Sequence, residues 1–218
     1  MSKMQPTLKR RIKYDLGSNA TIPIKNKREV DAIVNYFRIE REKARTGVKR
    51  WQADRNYLLC VLGFNSAFRS EDLLQLKVKD VDKGYFHIIE LKTGKLQNFR
   101  MNKVIFEEVQ EYIERNDLSP NEYLFYSQKN KLFAMTRQNA DLVLKKAAAA
   151  IKLKQPFSCH AMRKTFGYHY IKAGGNPITL MKMYNHDSTE VTLLYVMWGT
   201  DDAENDRSTI ALGLKGNR

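Results

Sequence analysis

The sequence predicts an α+β fold, mainly helical, with a small antiparallel β-sheet built on one hairpin. Three observations predict it. Apolar residues recur at helical spacing in most segments, and Asn, Ser or Thr stands as an N-cap before many of them. One stretch, 85–101, reads as strand, turn and strand. Hydrophobic residues make up 43% of the 218, enough to build the core of one sizeable domain.

Taken in order, residues 17–24 read as a linker. Asn26 caps a helix over 27–45 with Val30, Ile33, Val34 and Phe37 on one face. A second helix over 51–65 carries Tyr57, Leu58, Val61, Leu62 and Phe64. Ser70 caps a short acidic-started helix, 71–76, which leaves Arg69 at the junction of two helices. Phe68, Leu73, Leu74 and Leu76 can bury that junction. Strands over 85–91 and 97–101 flank Thr93-Gly94-Lys95, so Lys92 stands at a hairpin tip. Asn102 caps a helix to about 116, and Thr136 caps another to about 153. Ser158 caps a helix to 172, ended by Gly174-Gly175. Asn176-Pro177 opens a short helix to 184, and Ser188 caps the one carrying Tyr195. A polar tail, 201–218, follows.

The formal net charge is +14, which favours a polyanionic partner. Residues 1–50 hold fourteen Lys/Arg against five Asp/Glu, and Lys9, Arg10, Arg11 and Lys13 form a basic arm suited to phosphate contact. No apolar run approaches the ~20 residues of a membrane span, and the N-terminus lacks an apolar signal core. A cytoplasmic protein that binds nucleic acid, and no membrane, is expected. Cys60 and Cys159 lack metal-site spacing and read as buried, reduced thiols. Cys159 and His160 are adjacent on a helix and point about 100° apart, which argues against a working pair.

The polar chemistry falls in a telling order: Arg69, Lys92, His160, Arg163, His186, Tyr195. His160 and Arg163 share a face in the first turn of their helix, where the N-terminal field favours an anion. A phosphodiester under attack by an oxygen builds charge on its equatorial oxygens, and planar, always-charged guanidinium groups suit them. A tyrosine with an ordinary pKa near ~10 needs help to lose its proton, and the departing alkoxide needs one. Neither a carboxylate cluster nor a His/Cys cluster marks a metal site, so no metal and no cofactor are expected.

At these residues the chain resembles the tyrosine recombinase (phage integrase) family, over roughly 21–196. Gly63-Phe64-Asn65-Ser66-Ala67-Phe68-Arg69-Ser70-Glu71-Asp72-Leu73-Leu74-Gln75-Leu76 is similar to the family's first box. His160-Ala161-Met162-Arg163-Lys164-Thr165-Phe166 is similar to its second. Asn185-His186-Asp187-Ser188, with Thr192 and Tyr195, is similar to the closing element. Two departures stand out: Asn185 replaces a common glycine, and Lys95 competes with Lys92 for the hairpin lysine.

The resemblance implies a mainly helical catalytic domain with a small sheet and a site-specific recombinase acting on double-stranded DNA. Tyr195 would be the nucleophile, forming a 3′-phosphotyrosyl link that needs neither metal nor ATP. Arg69 and Arg163 would hold the phosphate, Lys92 would protonate the leaving oxygen, His160 would serve as acid/base, and His186 would hydrogen-bond the phosphate. Lys95 and Lys164, with the basic arm, would add DNA contacts. The working form would be a homotetramer on two duplexes, monomeric in isolation. The expected organisation is a basic arm over 1–20, a catalytic domain over 21–198 and a tail over 199–218 that docks on a neighbour, with the N-terminal core-binding domain absent. A type IB topoisomerase and a catalytically inactive DNA-binding relative are the alternatives, the former disfavoured by His160 where those enzymes usually have lysine.

Overall fold

The computed structural model describes residues 21–209. The basic arm, with Lys9, Arg10, Arg11 and Lys13, lies outside the described residues, as does the end of the tail. Thr21–Met197 forms one compact unit of mainly helical α+β architecture.

Helices α1 (Lys27–Lys43) and α2 (Gly47–Asn65) form an antiparallel pair, and α2 is its buried member. Leu58, Leu59, Cys60 and Leu62 of α2 are fully buried against α1, α4 (Lys103–Arg115) and α6 (Cys159–Lys172). α2 starts four residues earlier than the periodicity predicts, because its first turn is polar and shows no apolar stripe. The Asp54 carboxylate, buried on α2, accepts from Arg115 of α4 at 3.0 Å and lies 3.7 Å from Arg41 of α1, tying three helices. Phe64 stacks on Phe157, with ring centroids 5.7 Å apart, just before α6 begins.

α3 spans Ser70–Leu74, and Arg69 itself is its N-cap residue. Ser70 therefore opens the helix and makes no capping bond, a correction to the expected cap. Leu73, Leu74 and Leu76 are buried as expected. Behind a 3-10 turn at Val78–Asp80 comes a three-stranded antiparallel sheet in the order β1 (Val81–Asp82), β2 (Tyr85–Ile89), β3 (Leu96–Arg100). The two-residue β1 is too short to leave a sequence pattern. In β2 burial alternates, Phe86 and Ile88 facing in, and the same phase carries Glu90 inward. Phe68 meets Phe86 and Phe99 edge-on at 5.5 Å each, which seats the sheet against the α2–α3 junction.

Asn102, Thr136, Ser158, Asn176 and Ser188 each accept a backbone N–H as the N-caps of α4, α5 (Arg137–Ala150), α6, α7 (Pro177–Tyr184) and α8 (Thr189–Tyr195). The expected linker is partly core: Ile24 is fully buried, its N–H donates to Thr165 Oγ1 at 2.8 Å, and its carbonyl lies 2.9 Å from His169 Nε2. Cys60 and Cys159 are buried free thiols, and burial pushes both well above the ordinary thiol range. The tail holds a helix, α9 (Thr200–Ser208), in a separate unit. Among the described residues, no helix is long and apolar enough to cross a membrane, and no group of three or more His, Cys, Asp or Glu could hold a metal ion.

Candidate active site

One cleft of about 480 Å³ is bordered by Arg69, Lys92, His160, Arg163, His186 and Tyr195 together. Five separate pieces of chain deliver them. The α2–α3 junction brings Arg69, the β2–β3 turn brings Lys92, and the first turn of α6 brings His160 and Arg163. The α7–α8 turn brings His186, and the end of α8 brings Tyr195.

The two arginines converge on one atom. Arg69 Nη2 donates to the carbonyl oxygen of Tyr184 at 3.2 Å, and Arg163 Nη2 donates to the same oxygen at 3.1 Å. Arg163 is 3% exposed, lies 4.3 Å over the Tyr184 ring, and also donates through Nη1 to the Ala67 carbonyl. Ala67 has φ 61°, a left-handed conformation costly for a residue with a Cβ, and its carbonyl is one of the two that hold Arg163. That kink ends α2 and turns the chain toward Arg69. Arg69 Nη1 stands 2.9 Å from Glu90 Oε2 as an ion pair, and this buried nitrogen makes no hydrogen bond of good geometry among the described residues.

The Tyr195 hydroxyl lies 3.1 Å from His160 Nε2 and 3.4 Å from Nδ1. Its ring is edge-on to His160, His186 and Tyr184, with centroids 5.1–5.4 Å apart. Burial raises the phenol above its usual range, opposed by the positive fields of Arg163 and Arg69. Burial, then Lys164 and Arg163, push the His160 imidazole down to about 4, so it is neutral at pH 7. His186 is lowered for the same first reason and then by the two arginines, and its Nδ1 meets Thr192 Oγ1 at 3.1 Å.

Of the two hairpin lysines, Lys92 borders the cleft and Lys95 is not among its lining residues. Both are exposed. Lys164 is half-buried: its ammonium donates to the Thr21 carbonyl at 2.7 Å and stands 5.1 Å from the Tyr195 ring centroid. Asn185 adopts φ 51°, ψ 50°, the left-handed C-cap of α7, which explains how asparagine serves where glycine is common. Its side chain also donates to Glu90 Oε2 at 2.7 Å.

Sequence reasoning missed Glu90, Asp72, Thr21 and Arg137. Glu90 is 4% exposed, and Asp72 accepts the Leu91 N–H at 2.9 Å. Arg137 borders the cleft and pairs with Glu71 at 3.0 Å. For Glu90 a signal existed: it continues the inward phase of Phe86 and Ile88.

The sequence pattern of the phage integrase family matches residues 26–198. The chain belongs to this family. Among curated phage integrase relatives it is 36% identical, over 143 residues, to a probable integrase/recombinase YoeC of Bacillus subtilis (strain 168), covering 65% of this chain and 77% of that protein. It is 28% identical to a tyrosine recombinase XerC of Roseiflexus castenholzii (strain DSM 13941 / HLO8), over 65% of this chain and 46% of that one. Among solved structures it is similar in fold to a XerA recombinase, with a TM-score of 0.69 at 16% identity, covering 86% of this chain and 65% of that one. A XerH site-specific recombinase bound to a palindromic difH substrate gives 0.66 at 22% identity, covering 84% and 51%. The chain thus spans about half the length of the longer relatives. Family membership places the chain among proteins of site-specific DNA recombination.

Proposed function

We propose that this chain is the catalytic domain of a site-specific recombinase, one that cleaves and rejoins double-stranded DNA through a 3′-phosphotyrosyl link. The observation that carries the reading is the Tyr195 hydroxyl, held 3.1 Å from a neutral His160 in the cleft that Arg69 and Arg163 border. Tyr195 Oη attacks the scissile phosphorus, the P–O5′ bond breaks, and Lys92 gives its proton to the departing O5′. Arg69, Arg163 and His186 bind the non-bridging oxygens, whose charge grows in the transition state.

The phenolic proton passes to His160. Burial holds the phenol above its usual range and the imidazole down at about 4, so full transfer ahead of attack is uphill. Transfer therefore accompanies O–P bond formation, and a bound phosphate anion raises the imidazole and narrows the gap. In the second half, a 5′-hydroxyl of a partner strand attacks the phosphotyrosine and releases Tyr195. Bond energy is kept in the covalent link, so no ATP is consumed. Four subunits on two duplexes form the working assembly, with the tail docking on a neighbour, and the free protein is a monomer.

The test is a nicked suicide substrate, whose cleaved end diffuses away and leaves the adduct trapped. The wild-type chain should accumulate a covalent DNA adduct whose linked peptide contains Tyr195, and Tyr195→Phe should form none. An adduct that survives Tyr195→Phe would reject the mechanism. Binding without any adduct would make the chain an inactive DNA-binding relative. Relaxation of supercoils without two-site exchange would make it a topoisomerase.

A further inference from the structure

We infer that Glu90 is the positioning residue for Lys92, locking the β2–β3 turn to the rest of the active site. The inference rests on the recombinase reading above. Glu90 leaves β2 on its inward phase and is buried. Its carboxylate takes bonds from both sides of a seam. From the hairpin, Thr93 Oγ1 donates to Oε2 at 2.7 Å and Gln97 Nε2 donates to Oε1 at 2.8 Å. From the site, Asn185 Nδ2 donates to Oε2 at 2.7 Å, and Arg69 Nη1 stands 2.9 Å away. The backbone joins in: the Gly94 N–H donates to the Glu90 carbonyl at 2.8 Å, and the Glu90 N–H donates to the Lys95 carbonyl at 3.0 Å. The turn that carries Lys92 is thus closed on Glu90, and Glu90 is bound to the arginine and to the residue before His186.

Burial alone would raise this carboxyl, but the Thr93 and Asn185 hydrogen bonds and the Arg69 charge outweigh it and hold it below the usual range. It is therefore a carboxylate at neutral pH, accepting from Thr93, Gln97 and Asn185 and ion-paired with Arg69. Arg69 has a second anchor in the Tyr184 carbonyl, so its place does not hang on Glu90 alone. Lys92 is exposed on its turn, and its aim depends on where that turn is held. The Leu91–Asp72 bond fixes one side of the turn, and the Glu90 side chain ties Thr93 and Gln97 on the other side to Asn185 and Arg69. Asn185 extends the lock, since the glycine common at this position could give no side-chain donor.

The step that depends on this is the proton transfer from the Lys92 ammonium to O5′ as the P–O5′ bond breaks. Sulfur in place of the bridging O5′ leaves as a thiolate and needs no proton, so it bypasses Lys92. Single-turnover adduct formation is measured at saturating DNA with both leaving groups, for wild type, Lys92→Ala, Glu90→Ala, Glu90→Gln and the Glu90→Ala/Lys92→Ala double variant. Glu90→Ala should lose about 100-fold with the oxygen substrate, the scale of general-acid catalysis, and less than about 5-fold with the sulfur one. Glu90→Gln, which keeps the shape and loses the charge, should lose about 10-fold with the same rescue by sulfur, guarding against a folding defect. The double variant should be no slower than Lys92→Ala. Equal losses on both substrates, or additive losses in the double variant, would overturn the inference while leaving the recombinase reading intact. A wild-type chain that forms no adduct with either substrate would remove both.

Discussion

His160 is neutral because its surroundings punish the charged form: burial first, then the ammonium of Lys164 and the guanidinium of Arg163. A neutral ring can accept a proton from Tyr195, and that chemistry has a stability cost at low pH. The folded chain takes up the His160 proton near 4, and the unfolded chain takes it up near 6.5. Between those values the unfolded state binds more protons, so stability is intact above about 6.5 and falls as pH drops toward 4. His186 and His169 are shifted the same way. Urea unfolding at pH 5 should therefore show lower stability than at pH 7.5, with His160 accounting for roughly 1–2 kcal/mol once solvent screening is allowed for. His160→Gln should shrink the pH 7.5-to-5 difference, and a difference of undiminished size would remove His160 as its source.

The elements that aim Tyr195 meet at a glycine. A Cβ on Gly167 of α6 would lie 2.3 Å from Tyr184 Oη and 2.6 Å from a methyl of Val196, the residue after Tyr195. Tyr184 Oη is itself committed to the Arg163 carbonyl at 2.5 Å, and Val196 is fully buried, so neither retreats cheaply. Gly167→Ala should destabilise the domain by about 1–3 kcal/mol and slow adduct formation more than it weakens DNA binding, as read by thermal melts and suicide-substrate kinetics. Unchanged melting would mean that α8 shifts without penalty. At this scale the sequence was legible where chemistry is local. Asn102, Thr136, Ser158, Asn176 and Ser188 announce helices because a cap acts on its own next turn. The six cleft residues were legible through their boxes and order. What escaped depends on distant partners: Glu90 matters because of Asn185 and Arg69, and Ile24 is core because α6 passes beside it. Polar α9 has no apolar stripe to reveal it.

Over the whole molecule, a charge of +14 sets how the protein meets a polyanion. Counterion release should make DNA affinity fall about 10³–10⁵-fold between 50 and 200 mM salt if six to ten phosphates are neutralised. Fluorescence anisotropy against salt would measure the slope, and a flat response would rule out a phosphate-tracking surface. The cleft concentrates the same charge. Arg69 and Arg163 reach one peptide oxygen from distant parts of the chain, and the charge of Arg69 works against the Arg163 cation. The repulsion between them is settled as the protein folds, long before an oxyanion arrives. An empty site bears that tension and an occupied one is relieved of it. Selection for a firmer resting fold at this spot would therefore work against the grip that the proposed reaction needs.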